Sequence, residues 1–217
     1  MATETHNPDT ATADYFSVFG LERKLNLDET ALQRDFYRLS REFHPDKFAR
    51  ASAADQQRAM EKSSQLNDAY RTLKDPISRT QYLLELEGVK LEEQSSAATQ
   101  AARASGTEKK QVVPPELLEE VFELNMQLQE LRMNKELGES DPAIARDLNA
   151  AREKFEASLS ALTLEMQSIW NHWDAVIANA HASPEQRTTI RDKMVELLNK
   201  RSYIRNLVRD VNAALEN

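Results

Sequence analysis

Residues 44 to 46 read His-Pro-Asp, and an imidazole beside a carboxylate can accept, donate or move a proton near neutral pH. One chemistry open to His44 and Asp46 is therefore general acid–base hydrolysis. That chemistry also needs a pocket, a nucleophile held by the base and donors for an oxyanion, and the sequence around the tripeptide offers none of them. A plainer reading is a polar turn in which Pro45 stops one helix and Asp46 caps the next segment. A third is recognition: proline removes backbone freedom, so the flanking polar groups reach a partner with little ordering cost. Other chemistries find less support. His172 and His181 lack metal-ligand spacing to another histidine or acid and read as surface or capping residues. No glycine-rich phosphate loop occurs. The chain has no cysteine, so it offers no thiol nucleophile, thiolate metal site or cluster ligand. The expectation is a protein that is not an enzyme and holds no metal or cofactor of its own.

The elements that must position the tripeptide are two helices. Leu32, Phe36, Leu39 and Phe43 recur at steps of four, three and four before it, and Ala59, Ser63, Leu66, Tyr70 and Leu73 continue the pattern after it. The tripeptide thus sits at the tip of a helical hairpin. Arg34, Arg38 and Arg41 recur on the face opposite Phe36 and Leu39, and Lys47 and Arg50 extend the basic surface past the turn. A solvated face explains such a stripe in general; its single sign favours an acidic docking surface on a partner.

The whole chain has 217 residues, 28 basic and 36 acidic, for a net charge of −8. That balance argues against nucleic acid or anionic lipid as partner. No apolar run is long enough to span a membrane. Residues 1–13 read as a disordered tail without the marks of a signal or transit peptide, which suggests a cytoplasmic protein. Residues 14–90 form a neutral section and 91–113 a small, polar linker. Residues 114–217 carry three amphipathic stripes: Leu117 to Leu131, Leu148 to Trp173, and Ile190 to Leu215. Three such seams bury one another in an antiparallel bundle. Asp28, Asp75, Asp141 and Ser183 are predicted N-caps, the last three each followed by a proline at the first helical position. The predicted fold is all-α: a hairpin domain with short helices, joined to a three-helix bundle.

The first bundle helix has apolar residues to spare. Leu118, Phe122 and Met126 recur every four residues off the seam, flanked by Glu119, Glu123 and Glu130. Residues 114–141 hold eight acids and two bases, while 142–217 hold ten of each. A wide core stripe with a solvated acidic edge is one reading. The other is a partner surface with apolar anchors ringed by carboxylates, which Tyr203 and Leu207 would complete.

These residues resemble a known family. DYFSVFGL (14–21), REFHPDKF (41–48) and QLNDAYRTLKDPISRTQYLL (65–84) resemble a J domain in order and spacing. With the bundle that follows, the chain resembles the HscB-type co-chaperones of iron–sulfur cluster assembly. The resemblance implies that His44, Pro45 and Asp46 stimulate the ATPase of a DnaK/HscA-type chaperone, with Arg34, Arg38, Arg41 and Lys47 docking electrostatically. It further implies that LLEEVFELNMQLQEL (117–131) binds an IscU-type iron–sulfur scaffold protein, through Leu118, Glu119, Phe122, Glu123, Met126, Glu130 and Tyr203. Phe122 stands where the family usually has Leu, and Met126 where it has Glu. A general J-domain co-chaperone with a different client is the alternative; such proteins usually add Gly/Phe-rich or Cys-rich segments, which this chain lacks.

Overall fold

A computed structural model describes residues 14–89, 113–139, 141–179 and 182–216. The predicted tail, the predicted linker up to residue 112 and His181 lie outside them. Among the described residues every regular element is helical. They are α1 (Tyr15–Val18), α2 (Glu29–Glu42), a 3-10 turn (Pro45–Phe48), α3 (Ala53–Lys74), α4 (Pro76–Leu86), a second 3-10 turn (Pro115–Leu117), α5 (Leu118–Leu137), α6 (Pro142–Ala178) and α7 (Pro184–Glu216).

The caps lie where the sequence puts them. The Asp28 carboxylate accepts from the Ala31 amide at 3.0 Å, and Asp141 accepts from the Ala143 amide at 2.7 Å. Ser183 and Gln186 form a reciprocal capping box: the Gln186 amide donates to Ser183 Oγ, and the Ser183 amide donates to Gln186 Oε1. Gly88 and Gly138, at φ 78° and 72°, end α4 and α5 in the left-handed conformation. Pro115–Leu117 winds as a 3-10 turn and α5 proper begins at Leu118. Neither Pro114 nor Leu117 has a side-chain oxygen to receive the first-turn amides.

The residues divide into two units: those within Met1–Lys90 together with Trp173–Ala182, and those within Leu91–His172 together with Ser183–Asn217. In the first unit, α2 and α3 run antiparallel, because Phe36 stacks on Tyr70 at 4.1 Å while Lys62 lies over Phe43 at 4.8 Å. Phe16, Leu32, Leu66, Leu73, Leu83 and Leu84 fill the core. The Tyr15 amide donates to the Tyr82 hydroxyl at 2.9 Å, and the two rings stack at 4.4 Å.

Trp173, which periodicity assigns to the long bundle seam, belongs by its contacts to this first unit. It is fully buried, and its indole N–H donates to the Arg23 carbonyl at 3.0 Å. Next to it, the Asp174 carboxylate accepts from the amides of Leu25 (2.7 Å) and Asn26 (2.9 Å) and from the Asn26 side chain (2.7 Å). The buried Arg79 guanidinium feels the negative charges of Glu29, Asp75 and Asp174. Burial pushes its pKa down and those charges oppose the shift. Its Nε and Nη1 have no hydrogen-bond acceptor among the described residues.

In the second unit, α5, α6 and α7 bury their seams as a three-helix bundle. Val121, Leu124, Leu128 and Leu131 from α5, Leu148, Phe155, Leu162 and Met166 from α6, and Met194, Leu197, Ile204 and Val211 from α7 are all buried. At 37 residues α6 is longer than α5, with 20, and α7, with 33. The core arc of α7 is wider than its seam: Tyr203 is only 8% exposed, and Leu207 is also buried. Burial raises the pKa of the Tyr203 phenol.

Two outcomes follow for stability. Replacing Asp174 by Ala strips the Leu25 and Asn26 amides of their acceptor and is expected to destabilise the first unit by about 1–3 kcal/mol, read from a chemical denaturation curve. Tyr203→Ala is expected to destabilise the bundle by about 3 kcal/mol or more, whereas Phe122→Ala leaves the denaturation midpoint unchanged.

Candidate functional site

The hairpin tip is built from local hydrogen bonds. His44 is extended at φ −63°, ψ 128°, and Pro45 starts the 3-10 turn. The Lys47 amide donates to the His44 carbonyl at 3.0 Å, and the Asp46 amide donates to His44 Nδ1 at 3.3 Å. With Nδ1 accepting, the neutral imidazole carries its proton on Nε2 and offers that N–H to a partner. The Gln56 side chain ties the turn to α3 by donating to the carbonyls of Ala49 (3.3 Å) and Ala51 (3.1 Å). Ser52 caps α3 through the Asp55 amide. The backbone is thus fixed while its polar groups stay in water. His44 and Pro45 are exposed, and the Asp46 side chain is 91% exposed.

Arg34, Arg38, Arg41 and Lys47 are all exposed, as is Arg50. The face is less purely basic than its arginine spacing suggests. Asp35 lies 3.4 Å from Arg38 and 3.9 Å from Arg34, and Arg41 donates to the Tyr37 carbonyl. Exposed pairs of this kind exchange readily for a partner's carboxylates.

On α5 the exposed face is apolar. Phe122 is 65% exposed and Met126 58%, and Leu118 is exposed beside them. The face runs further than the sequence reading took it: Met133, at 53%, and Leu137 are exposed too. At 100° per residue these five side chains fall within about 100° of arc and nearly opposite the buried seam, along about 28 Å of helix. The steps of seven and four from Met126 to Met133 and Leu137 carried that signal. Glu119, Glu123 and Glu130 flank the stripe, exposed and without an ion-pair partner among the described residues. Glu116 and Glu120 differ: Lys200 and Lys154 pair with them at 2.9 and 3.1 Å. Hydrogen bonds and these lysines hold both carboxyls below the usual range.

Tyr203 and Leu207 do not complete the stripe, because both are buried in the bundle. Off-seam spacing does not mean exposure where the core arc is broad. His172 is exposed, and no cluster of three metal-ligating side chains occurs among the described residues. An open groove of about 300 Å³ between α5 and α6 is lined by Glu120, Glu123, Asp147 and Lys154 over Leu124 and Phe155, and its lining includes no histidine or hydroxyl nucleophile. No described helix is long and apolar enough to cross a membrane.

Comparison with known proteins bears on both units. The DnaJ domain family matches residues 14–82. The co-chaperone protein HscB homolog of Bordetella avium is 34% identical over 70% of this chain and 80% of its own length. That of Azoarcus sp. is 34% identical over 69% of this chain and 76% of its own. Against the homolog of Vibrio cholerae the identity is 46%, over 36% of this chain and 46% of the relative, so that match spans about half of the relative's length. Among solved structures, the chaperone HscB of Vibrio cholerae superposes with a TM-score of 0.56 at 25% identity, covering 94% of this chain and 98% of that one. The human co-chaperone protein HscB shares the fold, with a TM-score of 0.54 at 23% identity over 94% of this chain and 82% of its own. With its DnaJ domain at the N-terminal side and an HscB-like fold across nearly its whole length, the chain belongs to the HscB family of J-domain co-chaperones.

Proposed function

We propose that this protein is a two-ended adaptor of iron–sulfur cluster assembly in the cytoplasm. Its outer α5 face holds an IscU-type scaffold protein, and its hairpin tip brings that scaffold to a DnaK/HscA-type chaperone and stimulates the chaperone's ATPase. The observation that carries the reading is the exposed stripe of Leu118, Phe122 and Met126 on a helix whose other face already fills the bundle core. Covering three such side chains with a partner contributes about 1.5–3 kcal/mol each. The charge selects the partner. Two copies of the 114–141 segment would bring six excess negative charges against six, so the stripe disfavours self-pairing and favours an apolar patch with a basic rim.

At the other end, the tip acts by contact. The exposed Asp46 carboxylate can take a charge-assisted hydrogen bond from an arginine of the chaperone, and His44 Nε2–H can donate a second. Such contacts accelerate hydrolysis only when they are stronger in the chaperone's hydrolysis-competent state than in its resting state. Pro45 and the Gln56 tether lower the ordering entropy of that encounter. The basic α2 face speeds it through long-range attraction, which salt screens.

His44→Gln is expected to abolish ATPase stimulation in a steady-state assay while leaving helicity and scaffold affinity intact; stimulation at the unaltered level would defeat the assignment. The Leu118→Ala, Phe122→Ala, Met126→Ala triple variant is expected to bind scaffold at least a hundredfold more weakly by calorimetry. Its stimulation of the chaperone without scaffold should stay unchanged, and full scaffold affinity in that variant would rule out this face.

A further inference from the structure

The outer face of α5 carries sulfur. Met126 and Met133 are exposed, whereas Met166 and Met194 are sealed in the bundle core. Seven residues apart, the two lie within about 20° around the helix and about 10 Å apart along it. Each thioether therefore sits in the same apolar stripe, between Phe122 on one side and Leu137 on the other. The chain has no cysteine, so methionine is its only oxidisable sulfur. An exposed thioether reacts with hydrogen peroxide in a balanced step. The sulfur lone pair attacks the O–O bond and one oxygen is transferred to give the sulfoxide. The other leaves as water, sulfur losing two electrons and peroxide gaining them.

We infer that Met126 and Met133 are a peroxide-sensitive modification site that switches the α5 face off. Oxidation of the pair turns two apolar anchors into strong hydrogen-bond acceptors that a docked partner would have to desolvate without pairing. Methionine sulfoxide reductases reverse the change. The inference rests on the reading that this face docks a protein scaffold. The buried Met166 and Met194 keep the bundle intact under the same exposure, so the switch acts on the surface and leaves the fold. Each sulfoxide is expected to weaken scaffold binding about tenfold, and the pair about a hundredfold.

The test uses the full chain carrying Met60→Leu, which removes the exposed methionine of α3. It is treated with hydrogen peroxide and mapped by peptide mass spectrometry. It is then titrated with purified IscU-type scaffold before and after treatment with methionine sulfoxide reductases. The expected result is about hundredfold weaker binding once both sulfoxides are present, restored by the reductases. With Met126→Leu and Met133→Leu added, the affinity measured for that variant before treatment, whatever its value, should be unchanged by peroxide. The inference is overturned if the doubly oxidised chain binds as tightly as the reduced one, or if the leucine variant loses as much affinity on treatment. The unoxidised Phe122→Asp chain separates the two levels. Loss of binding there with no effect of oxidation overturns the redox switch alone; full binding there removes the docking face and the switch with it.

Discussion

A helix in a three-helix bundle can bury one apolar face, and α5 has two. Val121, Leu124, Leu128 and Leu131 occupy the core, which leaves Leu118, Phe122, Met126, Met133 and Leu137 in water. Large apolar side chains scattered singly over a surface need no explanation, but five aligned on one helix face do. The bundle cannot rotate α5 to hide them without exposing the seam that holds it together. The surplus is therefore locked outward by the same packing that stabilises the domain. Carboxylates beside the stripe disfavour its pairing with a second copy of itself.

The other end of the chain follows an opposite strategy. The hairpin tip buries almost nothing and gains its definition from short-range geometry: a proline at the start of a 3-10 turn, a histidine ring accepting from the next-but-one amide, and a glutamine bridging two carbonyls. An interaction surface of this kind is small, polar and pre-ordered. It can transmit a state-dependent contact, while the broad apolar face supplies affinity. On the proposed function, one end suits a brief encounter with an ATPase and the other a longer hold on a cargo protein.

Much of this was legible in the sequence because it is local. Helix periodicity, the aspartate and serine caps and the tripeptide at the hairpin tip all depend on neighbours within a few residues. What escaped depends on distance in the chain. Asp174 takes its amides from Leu25 and Asn26, 149 and 148 residues away, and no local pattern announces that. The same holds for Trp173, whose spacing fits the bundle seam although its indole bonds to Arg23. Tyr203 and Leu207 lie off the seam by spacing but inside the core by packing, since the buried arc of α7 is wider than two positions per heptad. Met133 and Leu137 carry the stripe past Met126, but Glu130 breaks the fourfold repeat there.

On the proposed function, joining a polar trigger to an apolar holder in one chain has a consequence that neither end has alone: the cargo would arrive at the chaperone at high effective concentration. The most direct measurement is the steady-state ATPase rate of an HscA-type chaperone with this protein, with IscU-type scaffold, and with both. The account expects the rate with both to exceed the sum of the separate increments several-fold. A rate no greater than that sum would contradict it.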